Sequence, residues 1–204
     1  MISPLDIKLG VARAQLGTAL HLFIHDKDPL SVQALACGGG ELIEGLANTS
    51  NIATFSTHIL STYPEMDEGK VRKLKNQYWN AIKHYYRQNQ RSVRDDSALM
   101  DTFSDSANDA ALWVGWYDYM LVVGKLPIEA QVFQMWWYAK NENKLAPGVD
   151  PTPFRSMFPA IGEALRRTQK LLLRQAVERY THNAELNDDP RTERESLVVS
   201  VDYS

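Results

Sequence analysis

Apolar residues recur every three to four positions along most of the chain, the period of an α-helix that buries one stripe. Leu9, Ala12, Leu16, Leu20 and Phe23 follow Ser3 and Pro4, which read as N-cap and first helical residue, so the spacing predicts a helix to about His25. After a turn over 26–29, Asp28 caps a second helix that carries Leu30, Ala34, Leu35, Leu42, Ile43 and Leu46. Two helices joined by so short a turn form an antiparallel hairpin. Within the second, Gly38, Gly39 and Gly40 each cost about 1 kcal/mol relative to alanine, which points to another helix approaching closely there.

Residues 48–64 are polar and broken, with one short helix around 52–60. Val71, Leu74, Tyr78, Ile82 and Tyr85 form the next stripe, on a helix running from Glu65 or Lys70 to about Asn89. An acidic segment then leads into a long helix ending near Gly124, and Pro127 opens another to about Asn141, whose Phe133, Met135, Trp136 and Trp137 must mostly be core. A Pro- and Gly-rich loop over 145–153 precedes a last helix over 159–180. Strand-like alternation is confined to 196–203. The expected fold is all-α: one domain over 1–182, a bundle of six or seven helices around one core. A polar, acidic tail over 183–204 is expected to be mobile or docked on a partner.

A content of 44% apolar and 23% charged residues is that of a globular domain. The single cysteine, Cys37, rules out an intramolecular disulfide and a multi-thiolate metal site, and suggests a reducing compartment. No secretory signal is visible, and the most apolar run, 110–123, contains Asp118 and falls short of the roughly 20 residues a membrane-spanning helix needs. A cytoplasmic protein without membrane contact, metal or cofactor is expected.

Charge is segregated along the chain. Residues 70–94 hold eight bases and no acid, and residues 95–109 hold five acids and no base. At about 100° per residue, Lys73, Gln77, Asn80, His84, Arg87 and Arg91 share one narrow strip opposite the apolar stripe. Lys73, Lys83, Arg87 and Arg91 could bind RNA phosphates, with Trp79 and Tyr86 placed to stack bases. The competing expectation is that this cationic face packs on the acidic run, where Asp101, Asp105 and Asp109 align at helical spacing.

The hairpin with Leu35-Ala36-Cys37-Gly38-Gly39-Gly40-Glu41, followed by Trp79-Asn80-Ala81-Ile82-Lys83-His84 on a later helix, resembles uncharacterised bacterial proteins related to the HEPN superfamily, over residues 7–86. The resemblance implies an HEPN-like core and a homodimer. Many such proteins are metal-independent ribonucleases, in which four to six residues separate an Arg that stabilises phosphate charge from a His that relays a proton. His84 matches that His, and Asn80 the polar residue that often follows the Arg; the places for the Arg hold Gln77, Tyr78 and Trp79. The implied function is a non-catalytic module that binds protein or nucleic acid. The alternative is a ribonuclease or toxin-like enzyme using His84, with Arg87 or Lys83 as its cation.

Asp118 lies inside the aromatic run 113–119, where a carboxylate must be paired or raised in pKa. A third reading is therefore a small-molecule pocket walled by Trp113, Trp116, Trp136 and Trp137, with Asp118 as polar anchor. The pairs His21/His25 and Glu41/Glu44 have helical spacing, but without a Glu-x-x-His pair they do not make a di-iron pattern.

Overall fold

Ser3 and Asp6 close a capping box, Ser3 Oγ accepting from the Asp6 N–H at 3.1 Å and Asp6 Oδ2 from the Ser3 N–H at 3.3 Å, and this starts α1 (Pro4–Ile24). Asp28 accepts from the N–H of Ser31 at 2.8 Å and starts α2 (Pro29–Thr49), which returns along α1. The computed structural model describes residues 3–87 and 92–199. After α2 come α3 (Phe55–Thr62), α4 (Glu68–Lys83), α5 (Ser97–Met100), α6 (Ala107–Val123), α7 (Ile128–Lys140), α8 (Thr152–Met157), α9 (Arg166–Tyr180) and α10 (Ala184–Asp188). Helix covers 67% of the described residues, and the fold is all-α. The ten helices exceed the six or seven expected; α5, α8 and α10 have only four to six residues each. Among the described residues no helix is long and apolar enough to cross a membrane.

The core lies between α1, α2, α6, α7 and α9. Leu16, Leu20, Phe23, Trp116, Phe133 and Trp136 are fully buried there, each worth about 1.5–3 kcal/mol as removed apolar surface. Phe23 meets Phe133 and Trp136 edge-on, with centroids 5.6 and 6.0 Å apart. The glycines admit the close approach their sequence suggested. A Cβ on Gly39 would stand 2.8 Å from Leu16 Cγ, one on Gly115 2.6 Å from Leu16 Cδ2, and one on Gly40 3.8 Å from Gly115 Cα. Thus α2 crosses α6 at Gly40 and Gly115, with Leu16 of α1 seated behind the crossing.

Three expectations are corrected. First, α4 stops at Lys83 rather than near Asn89; His84 is its C-cap, and the chain turns into a short hairpin where Tyr86 bridges Val93. Helices are held mainly by packing of an apolar face, and beyond Ile82 the stripe runs out into solvent, Tyr85 being 68% exposed. Second, 159–165 is turns, not helix, because buried Phe158 and Ile161 fasten it to the core and the Gln169 amide donates to the carbonyls of Ile161 (3.1 Å) and Ala164 (3.0 Å).

Third, the C-terminal segment is docked on the body as far as it is described. Leu126 pairs with Thr192 in a parallel bridge, and Leu197 is buried. Arg13, itself buried in α1, donates to Leu197 O (2.8 Å), Ser196 O (3.1 Å) and Glu193 Oε1 (2.6 Å), while the Tyr119 hydroxyl donates to Glu193 Oε2 at 2.9 Å. A buried guanidinium needs acceptors on all sides, and this segment supplies them. Gly17 leaves room for the Leu197 carbonyl, which any Cβ there would strike. Of the expected strand 196–203, residues 196–199 form none and 200–203 lie outside the described residues.

Candidate functional site

A cleft of about 340 Å³ opens between α2, α4 and α6, on the side of the α2–α6 crossing away from α1. Its floor exists because two helices present small side chains at helical spacing: Ala36 and Gly40 from α2, Ala107, Ala110, Ala111 and Gly115 from α6. The apolar stripe of α4 forms the lip. Leu74 stands there 63% exposed, and Phe55, the first residue of α3, closes one end.

The charged groups at the rim are matched internally. Lys75 Nζ lies 3.0 Å from Glu44 Oε1 and donates to Ser56 Oγ at 3.0 Å; the Ser56 hydroxyl donates to Glu44 at 2.6 Å. Burial works to raise the Glu44 carboxyl, but Ser56 and Lys75 outweigh it and hold it below the usual range. Glu41 accepts from Trp79 Nε1 at 3.1 Å and pairs with Lys83 at 3.5 Å, and the Lys83 ammonium sits 4.8 Å from the Trp79 ring centroid.

Two buried polar side chains flank the floor. Gln33, 3% exposed, donates through Nε2 to Cys37 Sγ at 3.0 Å, and the thiol donates to Lys75 O at 3.9 Å; this order leaves Gln33 Oε1 without a partner in the protein. Burial pushes the Cys37 thiol up to about 11, so it stays protonated and inert at neutral pH. Asp118, 1% exposed, accepts from the Phe55 N–H at 2.7 Å. Its pKa is raised to about 6 by burial, against the pull of the Phe55 hydrogen bond and of Lys75, with Glu44 adding to the rise.

Compared with known proteins, the chain matches no family model, no curated protein and no solved structure. The HEPN resemblance therefore rests on the two sequence segments alone.

The expected sites are redistributed. The end of α4 takes His84, Asn80 and Arg87 off a common face: Asn80 is on the last turn, His84 is the cap, and Arg87 is exposed in the hairpin. Of the phosphate-binding set, Lys73 is exposed on α4, Lys83 is engaged by Glu41, and Arg91 lies outside the described residues. Asp105 and Asp109 of the acidic run do not cover this face, although Asp96 of the same run pairs with Arg94 at 2.7 Å. Arg166 binds Asp105 (2.6 Å) and Asp109 (2.7 Å), Lys140 binds Asp109 (2.5 Å), and Lys170 joins Asp105 (3.3 Å) and Asp26 (2.8 Å).

Trp113 and Trp116 are not among the residues that line the cleft. Trp116 and Trp136 are fully buried and Trp113 stacks on Trp137 at 4.3 Å, so these tryptophans are core, and Asp118 and Trp113 both reach Phe55 at the end of the cleft. Among the described residues no group of three or more His, Cys, Asp or Glu side chains could hold a metal ion. Gln33 and the alanines of α6 went unnoticed in the sequence; their signal is the matched run of small residues on two helices.

Proposed function

We propose that this chain is a non-catalytic, HEPN-like helical binding module of the cytoplasm, acting as a homodimer, and that it takes its ligand in the cleft between α2, α4 and α6. The observation that carries this reading is an apolar cleft of ligand size, bordered by an α4 stripe whose Leu74 is left exposed. The neighbouring polar groups argue against chemistry. Ser56 gives its proton to a carboxylate held at low pKa, a poor base, and Trp79, at a position where the motif Arg would stand, is bound to Glu41 instead.

Titration with 2-methylnaphthalene, followed by NMR shifts of the groove residues, tests it. Wild type is expected to bind, and Ala110→Phe, which fills the cleft from an exposed α6 position, to bind at least about tenfold more weakly, a loss of about 1.4 kcal/mol. Wild type that shows no saturable shifts, or a variant that binds equally well, would sink the reading.

A second reading, binding of single-stranded RNA on the outer face of α4, is favoured by one observation: Arg166, Lys140 and Lys170 take Asp105 and Asp109, and Lys73 is exposed with no ion pair among the described residues. Binding through phosphates falls steeply with salt. RNA held at about 50 mM salt should be released near 200 mM, and the triple change Lys73→Glu, Arg87→Glu, Arg91→Glu should abolish retention. The RNA should stay intact with chelator present. Cleavage that disappears in His84→Ala would overturn the non-catalytic reading.

A further inference from the structure

The cleft holds one feature that burial of apolar surface does not explain. Gln33 stands in its wall, 3% exposed, with Oε1 unpartnered within the protein. Leaving a buried acceptor unmet costs about 1–3 kcal/mol, and buried polar atoms are nearly always matched. The other end of the amide is committed, because Nε2 donates to Cys37 Sγ, whose own proton is directed to the Lys75 carbonyl. In this arrangement Oε1 is the end of the amide left to accept. The terminal torsion of a glutamine is broad, so the planar carboxamide can turn to bring Oε1 to a donor arriving in the cleft, shifting Nε2 relative to Cys37 Sγ as it does.

We infer that the cleft binds a neutral, apolar small molecule of about two fused rings that carries one O–H or N–H donor, and that Gln33 Oε1 is the acceptor that recognises it. The inference rests on the ligand-binding reading proposed above and names its ligand class. Size follows from volume: an apolar cavity of about 150 Å³ holds benzene, and this cleft measures about 340 Å³. Neutrality follows from the rim, where Glu44 is matched by Lys75 at 3.0 Å and Glu41 by Lys83 at 3.5 Å, so no charge is left over to attract an ionic group. The single donor follows from Gln33 Oε1, the one lining side-chain acceptor that is buried without a partner among the described residues.

The test compares 2-naphthol with 2-methylnaphthalene, in which a methyl group replaces the hydroxyl at similar volume. The methyl compound is the more apolar and would win on transfer out of water alone. Wild type is expected to bind 2-naphthol about tenfold more tightly, since sites built to meet a hydroxyl reject analogues lacking it. In Gln33→Met the preference should vanish, with 2-methylnaphthalene bound as well as before. A reading that does not depend on the variant is the side-chain amide resonance of Gln33 in wild type, which should shift on adding 2-naphthol and hold nearly still with 2-methylnaphthalene. Equal binding of both compounds overturns the role of Gln33 and leaves the cleft as the ligand seat. Binding of neither overturns both.

Discussion

An Arg13→Ala variant is expected to melt about 10 °C below wild type and to release the C-terminal segment. Arg13 is 4% exposed and fastens Glu193, Ser196 and Leu197 to α1, with its guanidinium 5.4 Å from the Trp116 ring centroid. Removing one partner of a buried ion pair typically costs about 3–5 kcal/mol, because the other charge is left uncompensated; in a chain of this size each kcal/mol lowers the midpoint by about 2–4 °C. Glu193 would keep the Tyr119 hydroxyl but lose its cation. Arg13→Lys should fall between the two, since an ammonium cannot reproduce the planar fork. Hydrogen exchange separates this account from general destabilisation: amides in 192–199 should exchange early in Arg13→Ala while those of α6 and α7 remain protected. Early exchange spread evenly over the whole chain would contradict it.

Asp118→Asn is expected to stabilise the protein at neutral pH and to do nothing in acid. The folded chain holds the Asp118 proton more tightly than the unfolded chain does, with a pKa raised from 3.8 to about 6, chiefly by burial. Stability from this group is therefore complete below about pH 3.8 and is lost as pH rises through 6. At about 1.4 kcal/mol per pH unit, the difference amounts to about 3 kcal/mol at pH 7.5, less whatever the new amide N–H₂ loses by finding no acceptor. Denaturant unfolding of both proteins should give coincident curves near pH 4 that diverge through pH 6. A difference between them independent of pH would show that Asp118 is not the titrating group.

The helices that meet at the core were legible because their spacing and their caps agree: α1, α2, α6 and α7 fall within a few residues of where the apolar period, Ser3, Asp28 and Pro127 place them. Close packing at Gly39 could be expected because a glycine run in a helix has few other uses. The end of α4 could not be read, since its period runs on through Tyr85 and nothing local says that no helix lies opposite. Charge misled for a related reason. Asp105 and Asp109 find their cations at Lys140, Arg166 and Lys170, 31 to 65 positions away, so the basic run next to them in sequence was the wrong partner. The tryptophans looked like pocket walls because composition alone cannot tell a lining aromatic from a buried one. The side chains that form the cleft are alanines and glycines, which carry no chemical signature, and Gln33 becomes conspicuous only once its burial is known.

The crossing of α2 over α6 has hollows on both sides. On one, Leu16 fills the space that Gly39 and Gly115 leave; on the other, the space beside Ala36 and Ala110 is the cleft. The cleft is thus a part of the α2–α6 packing face left open to solvent. In evolutionary terms such a site is cheap to lose and to regain: one alanine enlarged on α6 would close it without disturbing the helices, and the reverse change would reopen it.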